Sequence, residues 1–174
     1  MNNLSFHITD IASNSLRAGA TEVCLDLQIS SERISIRISD NGCGMDAETV
    51  ARACNPFYTT RTTRKIGLGL PFLIQNAEQT GGRVTITSTP GVGTEVCACF
   101  VPTNIDCPPW GDLSGTVAML LTSSPEVNIR FIYHAPGVTF ALSTCELKEA
   151  LDGLPLSHPK VILFVKEMIE EGIR

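Results

Sequence analysis

The sequence predicts an α/β chain in which helices alternate with two-stranded hairpins, and three patterns carry that expectation. Leu4, Ile8 and Ile11 recur at helical spacing, with Ser15 and Leu16 continuing the series. Residues 21–29 and 33–39 alternate apolar and polar, as half-buried strands do. Short glycine-bearing runs at residues 40–45, 67–70 and 91–94 then separate further segments of both kinds.

The first helix is expected over residues 4–17, ending at Ala18-Gly19-Ala20, where Gly19 can take the left-handed conformation that closes helices. Asp10 and Asn14 stand at i and i+4, neighbours on one face, and His7 lies on the same side three residues before Asp10. Alone, such a set reads as a solvated polar stripe on an amphipathic helix. The hairpin of residues 21–29 and 33–39, joined through Ser30-Ser31-Glu32, delivers the carboxylate of Asp40 at a strand end. Asn41-Gly42-Cys43-Gly44-Met45 follows, and its two glycines let the backbone turn tightly and approach something closely. By itself, an aspartate followed by glycines is a turn.

Asp46 is placed to cap a short helix over residues 47–54, with Glu48 in its first turn. Next comes a polar stretch, residues 58–65, with no alternation and three cations, Arg61, Arg64 and Lys65; a surface loop is the plain reading. Gly67-Leu68-Gly69-Leu70 opens a helix with Pro71 in its first turn, and Leu73, Ile74 and Ala77 extend the apolar face to Gly81-Gly82. A glycine-rich approach to a helix N-terminus suits an anion, because free N–H groups and the positive end of the dipole meet there. Residues 83–88 and 95–101 read as a second hairpin.

Beyond residue 104, Cys107-Pro108-Pro109-Trp110-Gly111 is a stiff connection, and residues 113–121 could be helical. Residues 127–133 and 138–142 read as a hairpin around His134-Ala135-Pro136-Gly137. Ser143 suits a capped helix start running to Leu151. Residues 159–172 make a final amphipathic helix with Val161, Phe164, Val165 and Met168 on one side. The expected organisation is a domain over residues 1–104 and a small α+β appendage, residues 105–174, packed against it or hanging off it.

With 43% apolar residues among 174, the chain can bury a real core. A net charge of −5 without a basic run argues against coating nucleic acid. No apolar run approaches the ~18 residues of a membrane span, and no charged-then-apolar leader is visible, so neither span nor signal peptide is expected. Seven cysteines, an odd number without a secreted-domain pattern, fit reduced thiols and a cytoplasmic location. Cys97-Ala98-Cys99 would direct both thiols to one strand face, read as core packing rather than a metal site.

Taken together and in order, Asp10-Ile11-Ala12-Ser13-Asn14, the residues 40–45, Gly67-Leu68-Gly69-Leu70 and Gly91-Val92-Gly93-Thr94 resemble the N, G1, G2 and G3 boxes of the GHKL ATP-binding superfamily. That superfamily includes gyrase B, the heat-shock chaperone ATPase, histidine kinases and MutL. Asn55-Pro56-Phe57-Tyr58-Thr59-Thr60 resembles the F box of histidine kinases, and the resemblance spans roughly residues 4–102. It implies the Bergerat-type α/β sandwich, a mixed sheet with helices on one face, binding ATP with Mg²⁺.

In such a domain Asn14 would hold the Mg²⁺ that bridges the nucleotide phosphates, an oxygen ligand suited to a hard ion. Asp10 would act as general base, one methylene shorter than the usual Glu, and Arg17 would lie on the phosphates. Asp40 would accept a hydrogen bond from the adenine exocyclic amine, discriminating against guanine, which presents a carbonyl there. Gly42 and Gly44 would make room for the base, Met45 would border it, and the Thr94 hydroxyl would support the pocket. Residues 58–65 would be the ATP lid, mobile until nucleotide arrives. The lid's candidate contacts are Tyr58, Thr59, Thr60, Arg61 and Lys65, and it would close on Gly67, Leu68, Gly69 and Leu70. His7 is expected to be a packed or phosphate-side polar residue.

Three functions follow from the resemblance. The first is phosphotransfer from ATP to a partner's His or Ser, in the manner of a histidine kinase or an anti-sigma-type serine kinase. The second is slow ATP hydrolysis that regulates a partner, and the third is a non-catalytic ATP-binding module. Only a handful of residues precede Asp10, leaving no room for a phosphoacceptor-histidine hairpin. The lysine-bearing second domain of gyrase and MutL is also missing. The expectation is a stand-alone domain acting on a separate protein partner, without fast hydrolysis.

Overall fold

The spacing of apolar residues and the caps at each end set the elements of the computed structural model, which describes residues 3–57 and 68–174. Helix α1 (Leu4–Arg17) starts where the Asn3 side chain accepts from the Phe6 N–H at 2.7 Å. The strands β1 (Glu22–Ile29) and β2 (Ile34–Asp40) follow, then α2 (Ala47–Cys54), capped by Asp46 on the Thr49 N–H. After α3 (Gly69–Gln79) come β3 (Arg83–Thr89) and β4 (Gly93–Phe100). The remaining elements are α4 (Leu113–Ser123), β5 (Asn128–Ala135), β6 (Val138–Ser143), α5 (Thr144–Leu151) and α6 (Pro159–Gly172). Ser143 caps α5 by accepting the Glu146 N–H and donates its hydroxyl to the Glu146 carboxylate.

The six strands form one sheet in the order β3-β4-β2-β1-β5-β6. Every neighbouring pair is antiparallel except β1 and β5, which run parallel with Leu25 opposite Phe131. This mixed α/β sandwich carries its helices on one face. Val23, Leu25, Leu27, Ile34, Ile36, Ile38, Val96, Ala98 and Phe100 point to that face and are buried with α1 and α3 in one apolar core.

The alternate positions make the other face, where Arg37 pairs with Asp26 at 2.8 Å. Cys97 and Cys99 do share a strand face, but it is this one, and they are half-buried there rather than in the core. Positions 96, 98 and 100 already hold the apolar set, and a period of two sends 97 and 99 the opposite way. All seven cysteines are free, and no cluster of three or more ligating side chains occurs among the described residues.

Residues 105–174 extend the same sheet rather than forming a separate layer. The Leu4 and Ser5 amides at the start of α1 donate to the Pro109 and Trp110 carbonyls at 2.9 and 3.0 Å, so the proline-rich connection satisfies donors that a helix start leaves open. Leu113, Val117, Leu121, Ile129, Phe131 and Val165 join the core that α1 begins. Among the described residues, no helix is long and apolar enough to cross a membrane.

Candidate functional site

Burial forces the first contact of the site. Ser15 lies on the buried stripe of α1, and a hydroxyl there needs a partner. It donates to Asp40 Oδ2 at 2.6 Å, while Asp40 Oδ1 accepts the Gly42 N–H at 2.9 Å. The carboxylate at the end of β2 is thereby fixed by two donors and remains only half-buried. Asn41 ties the same corner to β1, its side-chain oxygen accepting the Thr21 and Glu22 amides at 2.9 and 3.0 Å.

Thr94 sits directly across from Asp40 in the β2–β4 register, and its hydroxyl is 2.7 Å from that of Ser88 on β3. The Ser88 hydroxyl in turn accepts the Met45 N–H at 2.8 Å. These contacts bring Asp40, Met45 and Thr94 to one corner. Gly44 has φ of 67°, and a Cβ there would lie 2.0 Å from the Thr89 carbonyl oxygen. The close approach permitted at Gly42 and Gly44 is therefore to the protein's own chain. The Cys43 amide donates to Ala18 O at 2.9 Å, and its carbonyl accepts from Gly91 N at 2.7 Å. The run after Asp40 is clamped between the end of α1 and the β3–β4 turn.

Further along α1, Asp10 is half-buried and Asn14 exposed, and neither side chain has a hydrogen-bond partner among the described residues. Asp10 faces the first residue of α3. A Cβ at Gly69 would lie 1.8 Å from Asp10 Oδ2, so only glycine lets the two elements meet here. Helix α3 begins without a side-chain cap, with Leu68 exposed and Leu70 buried. Its N-terminal end favours negative charge nearby. Arg17 is exposed, and its Nε donates to Ser13 O at 3.3 Å. Tyr58, Thr59, Thr60, Arg61, Arg64, Lys65 and Gly67 lie outside the described residues.

His7 is packed. It is 3% exposed, and its Nε2 lies 2.8 Å from the Asn76 amide nitrogen on α3. Burial pushes its pKa below the ordinary histidine value, against the opposing pull of Asp10.

Sequence reasoning missed Ser15, Ser88 and Asn76 as members of this arrangement. Ser15 carried the clearest signal, a hydroxyl standing in the apolar series of α1.

The comparisons agree with this geometry in extent. Residues 3–105 match the family described as histidine kinase-, DNA gyrase B- and HSP90-like ATPase. The chain is 34% identical over 92 residues to the sensor protein TorS of Escherichia coli, covering 52% of this chain and 10% of that protein. It is 35% identical over 78 residues to the CAI-1 autoinducer sensor kinase/phosphatase CqsS of Vibrio cholerae, covering 45% and 11%. It is 36% identical over 97 residues to the sensor protein kinase FleS of Pseudomonas aeruginosa, covering 54% and 23%. The match thus spans less than a quarter of each of these relatives. The matched segment contains α1, the Asp40 corner and the start of α3, and the chain belongs to the histidine kinase-, DNA gyrase B- and HSP90-like ATPase family.

Proposed function

We propose that the chain binds ATP with Mg²⁺ at the corner formed by α1, the run after β2 and the first turn of α3. In this reading it transfers phosphate to a histidine or serine of a separate protein, or regulates that protein through its nucleotide state. The observation that carries the reading is the Asp40 carboxylate at the end of β2, held by Ser15 and Gly42 across from Thr94, against the helix α1 that also bears Asn14 and Asp10. The sensor-kinase names of the relatives TorS, CqsS and FleS support a signalling role.

The residues present fit the nucleotide. Asp40 keeps lone pairs free beyond its two donors and is only half-buried, which suits an acceptor for an exocyclic amine. Asn14 is exposed, and its amide oxygen, the ligand type that suits Mg²⁺, has no partner among the described residues. Bound Mg·ATP would supply an activated phosphoryl group together with charge neutralisation. Asp40 selects the base. Asn14 holds the metal, and an Asp10 carboxylate oxygen takes the proton from the attacking partner group. Arg17, Arg61 and Lys65 supply positive charge to the phosphates, and Tyr58, Thr59, Thr60, Gly67, Leu68, Gly69 and Leu70 complete the nucleotide contacts. A cytoplasmic location belongs to the same reading, since ATP and reduced thiols coexist there.

The test is incubation with γ-labelled ATP and Mg²⁺ in the presence of candidate partner proteins. Label on a partner's histidine or serine is the expected result. Free phosphate without labelled partner would make the protein a regulatory ATPase, and neither product would remove phosphotransfer and hydrolysis together.

A further inference from the structure

Between α1 and α3 one buried pair of polar side chains meets among apolar neighbours. His7 on α1 and Asn76 on α3 are 3% and 8% exposed, and their side-chain nitrogens stand 2.8 Å apart. This hydrogen bond joins the two helices. If the Asn76 NH₂ donates to Nε2, the proton of the neutral ring sits on Nδ1; if the amide is turned, Nε2 donates and Nδ1 is a bare acceptor. In both cases Nδ1 is buried with no partner among the described residues. The neighbouring cavity offers it none, since its other lining residues are Ile11, Ile36, Ile38, Leu73, Val96 and Ala98. A polar pair that leaves one atom unsatisfied is a poor way to stabilise a core, and an apolar pair of similar size would do better.

What the pair does provide is direction. Apolar contacts between helices tolerate sliding, whereas a buried hydrogen bond fixes one register. His7 is one helical turn before Asp10, and Asn76 is two turns after Gly69, the residue that Asp10 abuts. We propose that His7 and Asn76 are positioning residues whose hydrogen bond fixes the register of α1 against α3 and holds Asp10 at the α3 N-terminus. Their effect on nucleotide rests on the reading given above; their effect on register does not.

The experiment compares wild type with the double variant His7→Leu/Asn76→Leu and with His7→Gln, whose amide can still pair with Asn76. Three quantities are read: the thermal midpoint, amide hydrogen exchange at the start of α3 in nucleotide-free protein, and Mg·ATP affinity. In the double variant the thermal midpoint should hold or rise, as the orphaned polar atom is gone. Exchange over residues 69–73 should quicken at least threefold, and Mg·ATP affinity should fall about tenfold, the scale of one positioning hydrogen bond. His7→Gln should restore most of the exchange protection and affinity. A double variant with a collapsed midpoint would make the pair structural and overturn the proposal, as would one with unchanged exchange. Unchanged affinity together with quickened exchange would overturn the link from register to nucleotide. If wild type bound no nucleotide, the functional reading would fail while the exchange comparison still decided the register.

Discussion

In the proposed adenine site, Asp40 is oriented by its own donors. Ser15 Oγ and the Gly42 N–H fix both carboxylate oxygens, so the orientation is set by the fold and not by a ligand. Ser15→Ala should therefore lower ATP affinity by about 0.5–1.5 kcal/mol, and Asp40→Asn by about 1–3 kcal/mol, both read by titration calorimetry. Equal losses for the two variants, or none for Asp40→Asn, would contradict this ordering. Asp40 was legible in the sequence because a carboxylate at a strand end before two glycines is conspicuous. Its partner was not, because Ser15 lies 25 residues away and nothing local links them. His7 gives a second prediction at this scale. Its folded pKa is lowered by burial, so the unfolded chain binds the proton more readily. The associated stability is fully present above about pH 6.5, the unfolded value, and is lost as pH falls from there through the lowered folded value. The denaturation midpoint should fall as pH drops below about 6.5, and His7→Leu should flatten that slope.

Helix α1 carries most of the proposed chemistry on successive turns, and its two polar groups, Asn14 and Asp10, are separable. Asn14→Ala should weaken the Mg²⁺-dependent part of nucleotide binding, measured by titrations with and without the metal. Asp10→Asn keeps size and polarity, so binding should survive while turnover falls by about 10²-fold or more. Turnover left intact by Asp10→Asn would move the base elsewhere, and His7, buried against Asn76, is no substitute. The bounds of α1 and α6 were readable from their regular apolar spacing, and those of α2 from the Asp46 cap. The placement of the Cys97 and Cys99 thiols was readable only in part. Alternation gives a shared face, but which face is covered depends on where the helices pack.

At the scale of the whole molecule, the parallel pairing of β1 with β5 is what sequence could not give. It joins residues about a hundred positions apart, and no turn or local pattern announces it. Because β5 shares a core with α1, we propose that residues 1–104 and 105–174 unfold as one unit. Phe131 is fully buried on β5, so Phe131→Ala should cost about 3–5 kcal/mol and shift a single denaturant transition. Two transitions, with nucleotide binding retained through the first, would instead mark a separable appendage. The central claim, an adenine site built on Asp40, is tested most directly by calorimetric titration of the intact protein with ATP and with GTP in the presence of Mg²⁺. ATP should bind, GTP should bind far more weakly, and Asp40→Asn should narrow the gap. Equal affinities for ATP and GTP in the wild type would contradict it.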